Sequence, residues 1–124
     1  MSDEISKLPP NVQERLLRLQ QLQQTLQTIL AQKQQVDMEK AEVEQTLAEL
    51  EKTSTDAVIY KAAGSLLVKA DKAKVAEDLN ERKELLGTRS TVITRQEERV
   101  RSQVKESQTK LQEDLSPVSG QPLS

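Results

Sequence analysis

From Val12 to Ser54 neither glycine nor proline interrupts the chain, and one set of positions recurs there in alternating steps of three and four: Val12, Arg15, Leu19, Leu22, Leu26, Ile29, Lys33, Val36, Lys40, Val43, Leu47 and Leu50. Nine of these twelve are apolar. This is the spacing of a coiled-coil seam, the stripe that one helix offers to another. At 1.5 Å per residue such a helix would be roughly 65 Å long, too long for a compact domain of this size. The chain is therefore expected to bury stripes rather than wrap a core. Leu16, Leu17 and Leu30 widen the stripe beyond two positions in seven. The extra width suits a bundle helix or a surface left for a further partner.

The side-chain inventory agrees with that economy. Among 124 residues there is no Trp, no Phe and one aromatic, Tyr60, so the large side chains that dominate globular cores are missing. Cysteine and histidine are also absent. This removes disulfides, thiolate nucleophiles, the usual zinc ligands and the side chain that titrates nearest neutrality. The acidic pairs Glu97-Glu98 and Glu113-Asp114 are sequence neighbours, which a helix turns to different sides, so they read as solvated surface rather than a catalytic pair. Arg95, Arg99 and Arg101 lie among Glu97, Glu98 and Glu106 and are expected to pair with them rather than bind phosphate. Gly64-Ser65 lacks the Lys-Ser/Thr context of a phosphate loop. The expectation is a chain that is not an enzyme and uses no cofactor, metal or nucleotide.

Charge narrows the partners. The 18 basic and 20 acidic residues give a net charge of −2, with the signs interleaved and no polybasic block, so nucleic acid is not an expected ligand. No apolar run approaches the ~18 residues of a membrane span. The start, Met1-Ser2-Asp3-Glu4, is acidic where a secretory signal would be positive. The expected location is the cytoplasm.

Along the chain, residues 1–10 form a flexible lead ending in Pro9-Pro10, and Asn11 with Glu14 three residues on reads as a capping box that opens a helix over 11–54. The period then changes. Val58-Ile59-Tyr60-Lys61 and Leu66-Leu67-Val68-Lys69 are short apolar runs around Ala62-Ala63-Gly64-Ser65, the pattern of a β-hairpin over 57–70 with Gly64 supplying a positive φ. Adjacent apolar residues in each run ask for cover on both faces. Two isolated strands are marginal in water, so the hairpin either joins subunits or folds back on the roots of its own helices.

A second helix is expected over 71–115, capped by Asp71 and stopped by Ser116-Pro117, with a disordered tail over 116–124. Its seam is poorer. Leu79, Leu86, Ile93 and Val100 repeat every seven residues, after which Val104, Leu111 and Leu115 carry the stripe in a shifted phase that resembles a stutter. Gly87 inside the helix costs about 0.5–1 kcal/mol relative to Ala. Two helices of matched length joined by a hairpin's worth of chain give the fold class: mainly α, a long antiparallel two-helix coiled coil with one β-hairpin between the helices.

The stretch from Leu19 to Gln32 contains no charged residue and is rich in glutamine. With Ile5, Leu8, Leu16, Leu17 and Leu30 nearby, such a neutral surface can touch apolar partners without burying an unpaired charge. A low-complexity helix with no ligand explains it equally simply.

Three segments, in this order, closely resemble the beta subunit family of archaeal-type prefoldin, also called the GimC complex. They are Leu8-Pro9-Pro10-Asn11-Val12-Gln13; Asp56-Ala57-Val58-Ile59-Tyr60-Lys61 leading into Gly64-Ser65-Leu66-Leu67-Val68; and Arg95-Gln96-Glu97-Glu98-Arg99-Val100. The likeness covers about residues 5–115. It implies an ATP-independent molecular chaperone working as a hexamer of four beta-class and two alpha-class subunits, which holds unfolded client proteins and passes them to a group II chaperonin. Space for a single hairpin matches the beta class. Carried onto this sequence, the resemblance makes Val58, Ile59, Tyr60, Leu66, Leu67 and Val68 the oligomerisation residues. It places client contact on Ile5, Leu8, Val12, Leu16 and Leu19 of the first helical arm and on Leu111 and Leu115 of the second. The alternative function is a coiled-coil adaptor with one dedicated protein partner, which would not suppress aggregation of unrelated proteins.

Overall fold

Two long helices with a two-stranded antiparallel hairpin between them make up the computed structural model, which describes residues 7–119. The elements are α1 (Pro10–Glu51), β1 (Ile59–Ala63), β2 (Leu66–Ala70) and α2 (Lys72–Ser119).

Helix α1 starts one residue before the expected box. The Pro9 carbonyl accepts hydrogen bonds from the Val12 and Gln13 amides, both at 3.0 Å, and Pro10 takes the first helical position, where a missing N–H costs nothing. The Gln13 amide also reaches back to the Leu8 carbonyl at 2.7 Å. All twelve seam positions read from the sequence are sheltered. Val12, Leu22, Ile29, Val36, Val43 and Leu50 are buried, and Arg15, Leu19, Leu26, Lys33, Lys40 and Leu47 are half-buried. A lysine can occupy such a row because its aliphatic stem lies along the stripe.

The helix ends at Glu51, three residues short of the expected 54. Thr53 closes it: its amide and hydroxyl both donate to the Leu50 carbonyl, at 3.1 and 2.6 Å. The Thr53 carbonyl accepts from the Lys72 ammonium at 2.7 Å, tying the end of α1 to the start of α2. Asp71 caps α2 through its carboxylate, which accepts from the Lys74 amide at 3.3 Å.

The strands of the hairpin are longer than expected and its loop shorter. Ala62 and Ala63 belong to β1, so only Gly64 and Ser65 turn the chain. Gly64 has φ +63° and Ser65 a negative φ, the pattern of the type II′ turns that two-residue hairpins favour. Register pairs Ile59 with Ala70, Tyr60 with Lys69, Lys61 with Val68, Ala62 with Leu67 and Ala63 with Leu66.

Helix α2 corrects two expectations. It continues through Pro117 to Ser119. There is also no stutter. Leu86, Ser90, Ile93, Glu97, Val100, Val104, Ser107, Leu111 and Asp114 are all buried or half-buried, in unbroken steps of four and three. The apparent phase shift arises because polar Ser107 and Asp114 hold seam positions while apolar Leu115, one residue off, is exposed. Gly87 has open space where a Cβ would stand, so no close approach of backbone demands glycine there.

The chain divides into two units, Lys33–Val92, which holds the hairpin, and Met1–Gln32 with Ile93–Ser124, which holds the chain ends. In the hairpin unit Leu86 is fully buried, the seam includes buried Val36, Val43 and Leu50, and Arg82 of α2 meets Glu39 of α1 at 3.5 Å. In the chain-end unit Val12, Leu22, Ile29 and Val100 are buried together with Ser107.

Candidate functional site

Two surfaces stand out once the seam has been accounted for, and each follows from a local feature of the sequence.

The first is the hairpin. Alternation along paired strands puts Ile59, Lys61, Ala63, Leu66, Val68 and Ala70 on one face and Tyr60, Ala62, Leu67 and Lys69 on the other. Neither face is covered. Leu66 is 67% exposed on one side and Leu67 is 72% exposed on the other, and Val58, Tyr60 and Val68 are also exposed. Of the six residues assigned to oligomerisation, only Ile59 is half-buried. The apolar doublets that made the sequence ask for cover on both faces thus become an uncovered apolar ribbon with two free strand edges.

The second surface lies in the unit that holds the chain ends. The Arg15 guanidinium donates to Asp114 at 2.5 Å, joining α1 and α2 across the seam. Beside it a half-open groove of about 500 Å³ is lined by Asn11, Glu14, Arg15, Arg18, Leu22, Gln103, Glu106, Ser107 and Lys110. Lys110 pairs with Glu106 at 3.2 Å and Arg101 with Glu97 at 2.8 Å, each one helical turn apart. The Arg101 pairing is the kind of intrahelical contact that the charge pattern led us to expect.

The residues assigned to client contact separate here. Val12 is 1% exposed, and Leu19 and Leu111 are half-buried at seam positions, so they present themselves to another molecule only if the seam opens. Leu8 and Leu16 are half-buried, and Leu115 is exposed. Ile5 lies outside the described residues. Leu17, absent from that assignment, is 56% exposed on the outer face of α1. The signal was available: Leu16 stands one helical turn from the seam residues Val12 and Leu19, so the seam phase puts it beside the stripe and Leu17 on the outer side. Ser107, Asp114 and the Arg15–Asp114 bridge carried no apolar signal and were missed.

Among the described residues no group of His, Cys, Asp or Glu could hold a metal ion, and no helix is long and apolar enough to cross a membrane. Lys74 is held above the ordinary lysine range by its hydrogen bond to Asp78 on an exposed turn of α2.

Comparison with known proteins gives a consistent set of likenesses. A family model described as "Prefoldin subunit" matches residues 13–117. The chain is 44% identical over 118 residues to prefoldin subunit beta of Saccharolobus islandicus, covering 93% of this chain and 94% of that protein. It is 43% identical over 116 residues to prefoldin subunit beta of Archaeoglobus fulgidus, covering 94% of this chain and all of that one (100%). The crystal structure of the prefoldin beta subunit from Thermococcus strain KS-1 superposes with a TM-score of 0.82 at 38% identity, over 88% of this chain and 96% of that one.

Proposed function

Since the chain belongs to the prefoldin subunit family and is of its beta type, we propose that it is one of four beta subunits which, with two alpha-type subunits, form an ATP-independent chaperone in the cytoplasm. The complex captures unfolded proteins at the ends of its coiled coils and delivers them to a group II chaperonin. The observation that carries this reading is the hairpin: a two-stranded ribbon with large apolar side chains exposed on both faces is marginal by itself and becomes stable when other strands cover it. Subunit joining through Val58, Ile59, Tyr60, Leu66, Leu67 and Val68 supplies that cover.

Client holding falls on the unit with the chain ends, where Leu8, Leu16, Leu17 and Leu115 are partly or largely exposed and the seam is polar at Arg15, Ser107 and Asp114. Opening of that weak seam adds Val12, Leu19 and Leu111 to the surface; Ile5, the remaining residue of the assignment, lies outside the described residues. Several weak sites on one scaffold raise the effective concentration of the second and later contacts, so an unfolded chain is held by avidity with no chemical step.

The test uses the hexamer reconstituted with an alpha-type subunit. A chemically denatured, unrelated protein is diluted into buffer without ATP, and light scattering compares intact chains with chains lacking residues 1–18. Suppression of aggregation by the intact complex, lost on truncation while the hexamer mass stays correct for the shortened chain, is the expected result. A correctly assembled intact hexamer that suppresses nothing overturns the reading in favour of a dedicated adaptor.

A further inference from the structure

The hairpin carries charge of one sign only. From Ala57 to Ala70 the charged residues are Lys61 and Lys69, with no Asp or Glu between them. Lys61 sits at the centre of β1, flanked on its face by Ile59 and Ala63 and opposite Val68. Lys69 sits on the other face, opposite Tyr60. Both lysines are exposed, and neither makes an ion pair with a described residue of this chain.

The turn determines what the free edge of β1 offers. Across a two-residue loop Ala63 and Leu66 form a hydrogen-bonded pair, and alternation makes Lys61 and Val68 another. The outward-facing backbone groups of β1 are therefore those of Tyr60 and Ala62. A strand added antiparallel on this edge meets Lys61 at a non-hydrogen-bonded position, the kind of pair in which side chains approach most closely.

A second copy of β1 is a poor occupant of that edge. Full antiparallel overlap puts Lys61 directly against its own counterpart. Slipping the pairing to the neighbouring allowed register leaves the two lysines diagonal, still within reach of long side chains. Copies added in the other sense, β2 against β1, avoid that meeting but add two positive charges each and no negative one. Lysine at a strand edge is a recognised device against self-pairing.

We propose that the strand which completes β1 belongs to a different chain and places an Asp or Glu opposite Lys61. Lys61 is then the residue that selects an unlike subunit over another copy of this one. The apolar ribbon supplies the area of the interface, and the Lys61–carboxylate pair supplies its partner choice. The inference rests on the reading of the hairpin as an assembly surface.

The experiment measures binding of the full-length chain to the alpha-type subunit, by native mass spectrometry and titration calorimetry, for the wild type, Lys61→Glu and Leu67→Asp. Circular dichroism checks that helix content is unchanged, since both side chains are exposed in the single chain. Lys61→Glu is expected to weaken binding by about tenfold at low salt through like-charge juxtaposition, with the gap narrowing as salt is raised. If Lys61→Glu binds as tightly as wild type while Leu67→Asp abolishes assembly, the electrostatic inference is overturned and the assembly reading stands. If Leu67→Asp also leaves binding unchanged, the hairpin is not the assembly surface and both fall.

Discussion

The two units of this chain use the same helices and the same heptad spacing, yet their seams differ in kind. In the hairpin unit the α1 row alternates buried Val36, Val43 and Leu50 with half-buried Lys33 and Lys40, whose stems lie along the stripe, and α2 contributes Leu86, which no solvent reaches. In the chain-end unit the α1 row is apolar but for Arg15 and ends on buried Val12, whereas that of α2 passes from Val100 to Ser107 and Asp114. The same geometry therefore yields two seams whose difference lies in α2, which buries Leu86 in one unit and Ser107 in the other. On the proposed function, such a chain would be firm at the hairpin end and yielding at the chain ends, with no change of fold between the two.

The sharpest way to break that contrast is to empty the firm seam. Leu86→Ala removes a fully buried side chain and should destabilise the chain by about 2–4 kcal/mol, read as a lower urea midpoint. Leu111→Ala, at a half-buried position in the chain-end unit, should cost about 1 kcal/mol. Equal losses at the two sites would mean that the seams do not differ in strength.

A second substitution moves the contrast the other way. The groove beside Ser107 and Leu22 has room for a larger side chain, so Ser107→Leu should complete the apolar row and stabilise the chain-end unit by about 1 kcal/mol. Slower amide hydrogen exchange around Leu19 and Val104, with exchange around Leu47 and Leu79 unchanged, is the expected signature. If seam opening admits clients, suppression of aggregation by the reconstituted complex should fall in step. Slower exchange with undiminished holding would assign client contact to the exposed residues Leu17 and Leu115 alone.

How much of this could be read from the sequence depended on whether seam positions held apolar residues. In α1 nine of twelve did, and all twelve proved sheltered, Arg15, Lys33 and Lys40 included. The hairpin was legible because Val58-Ile59 and Leu66-Leu67 put apolar side chains on both faces, which an amphipathic helix would not do. The last third of α2 was not legible. Ser107 and Asp114 carry no hydrophobic signal, and Leu115 drew the stripe one residue aside. The helix limits were displaced for local reasons: Pro10 starts α1 better than Asn11 caps it, and Thr53 closes it before Ser54. The exposure of Leu16 and Leu17 followed from the seam phase, which puts Leu16 one turn from Val12 and Leu19 and Leu17 on the outer side.

The smallest expected effect concerns the ion pair that stands where the seam is polar. Arg15 and Asp114 meet at 2.5 Å with side chains 40% and 21% exposed. A pair so placed gives up part of its Coulomb attraction to solvent screening and side-chain ordering, and is worth about 0.5 kcal/mol. A double-mutant cycle with Arg15→Gln and Asp114→Asn should recover a coupling of that size at ~0.1 M salt. It should shrink at ~1 M, where the Debye length falls to about 3 Å. The Glu39–Arg82 pair of the hairpin unit, at 3.5 Å, should couple less. The two cycles together separate two origins of the yielding seam. If the Arg15–Asp114 coupling is real and screened by salt, the chain-end unit is held by an electrostatic latch that ionic strength can loosen. If it is zero, Val12, Leu22 and Val100 hold that seam alone, and its weakness comes from burying Ser107 where the other turns bury a leucine, isoleucine or valine.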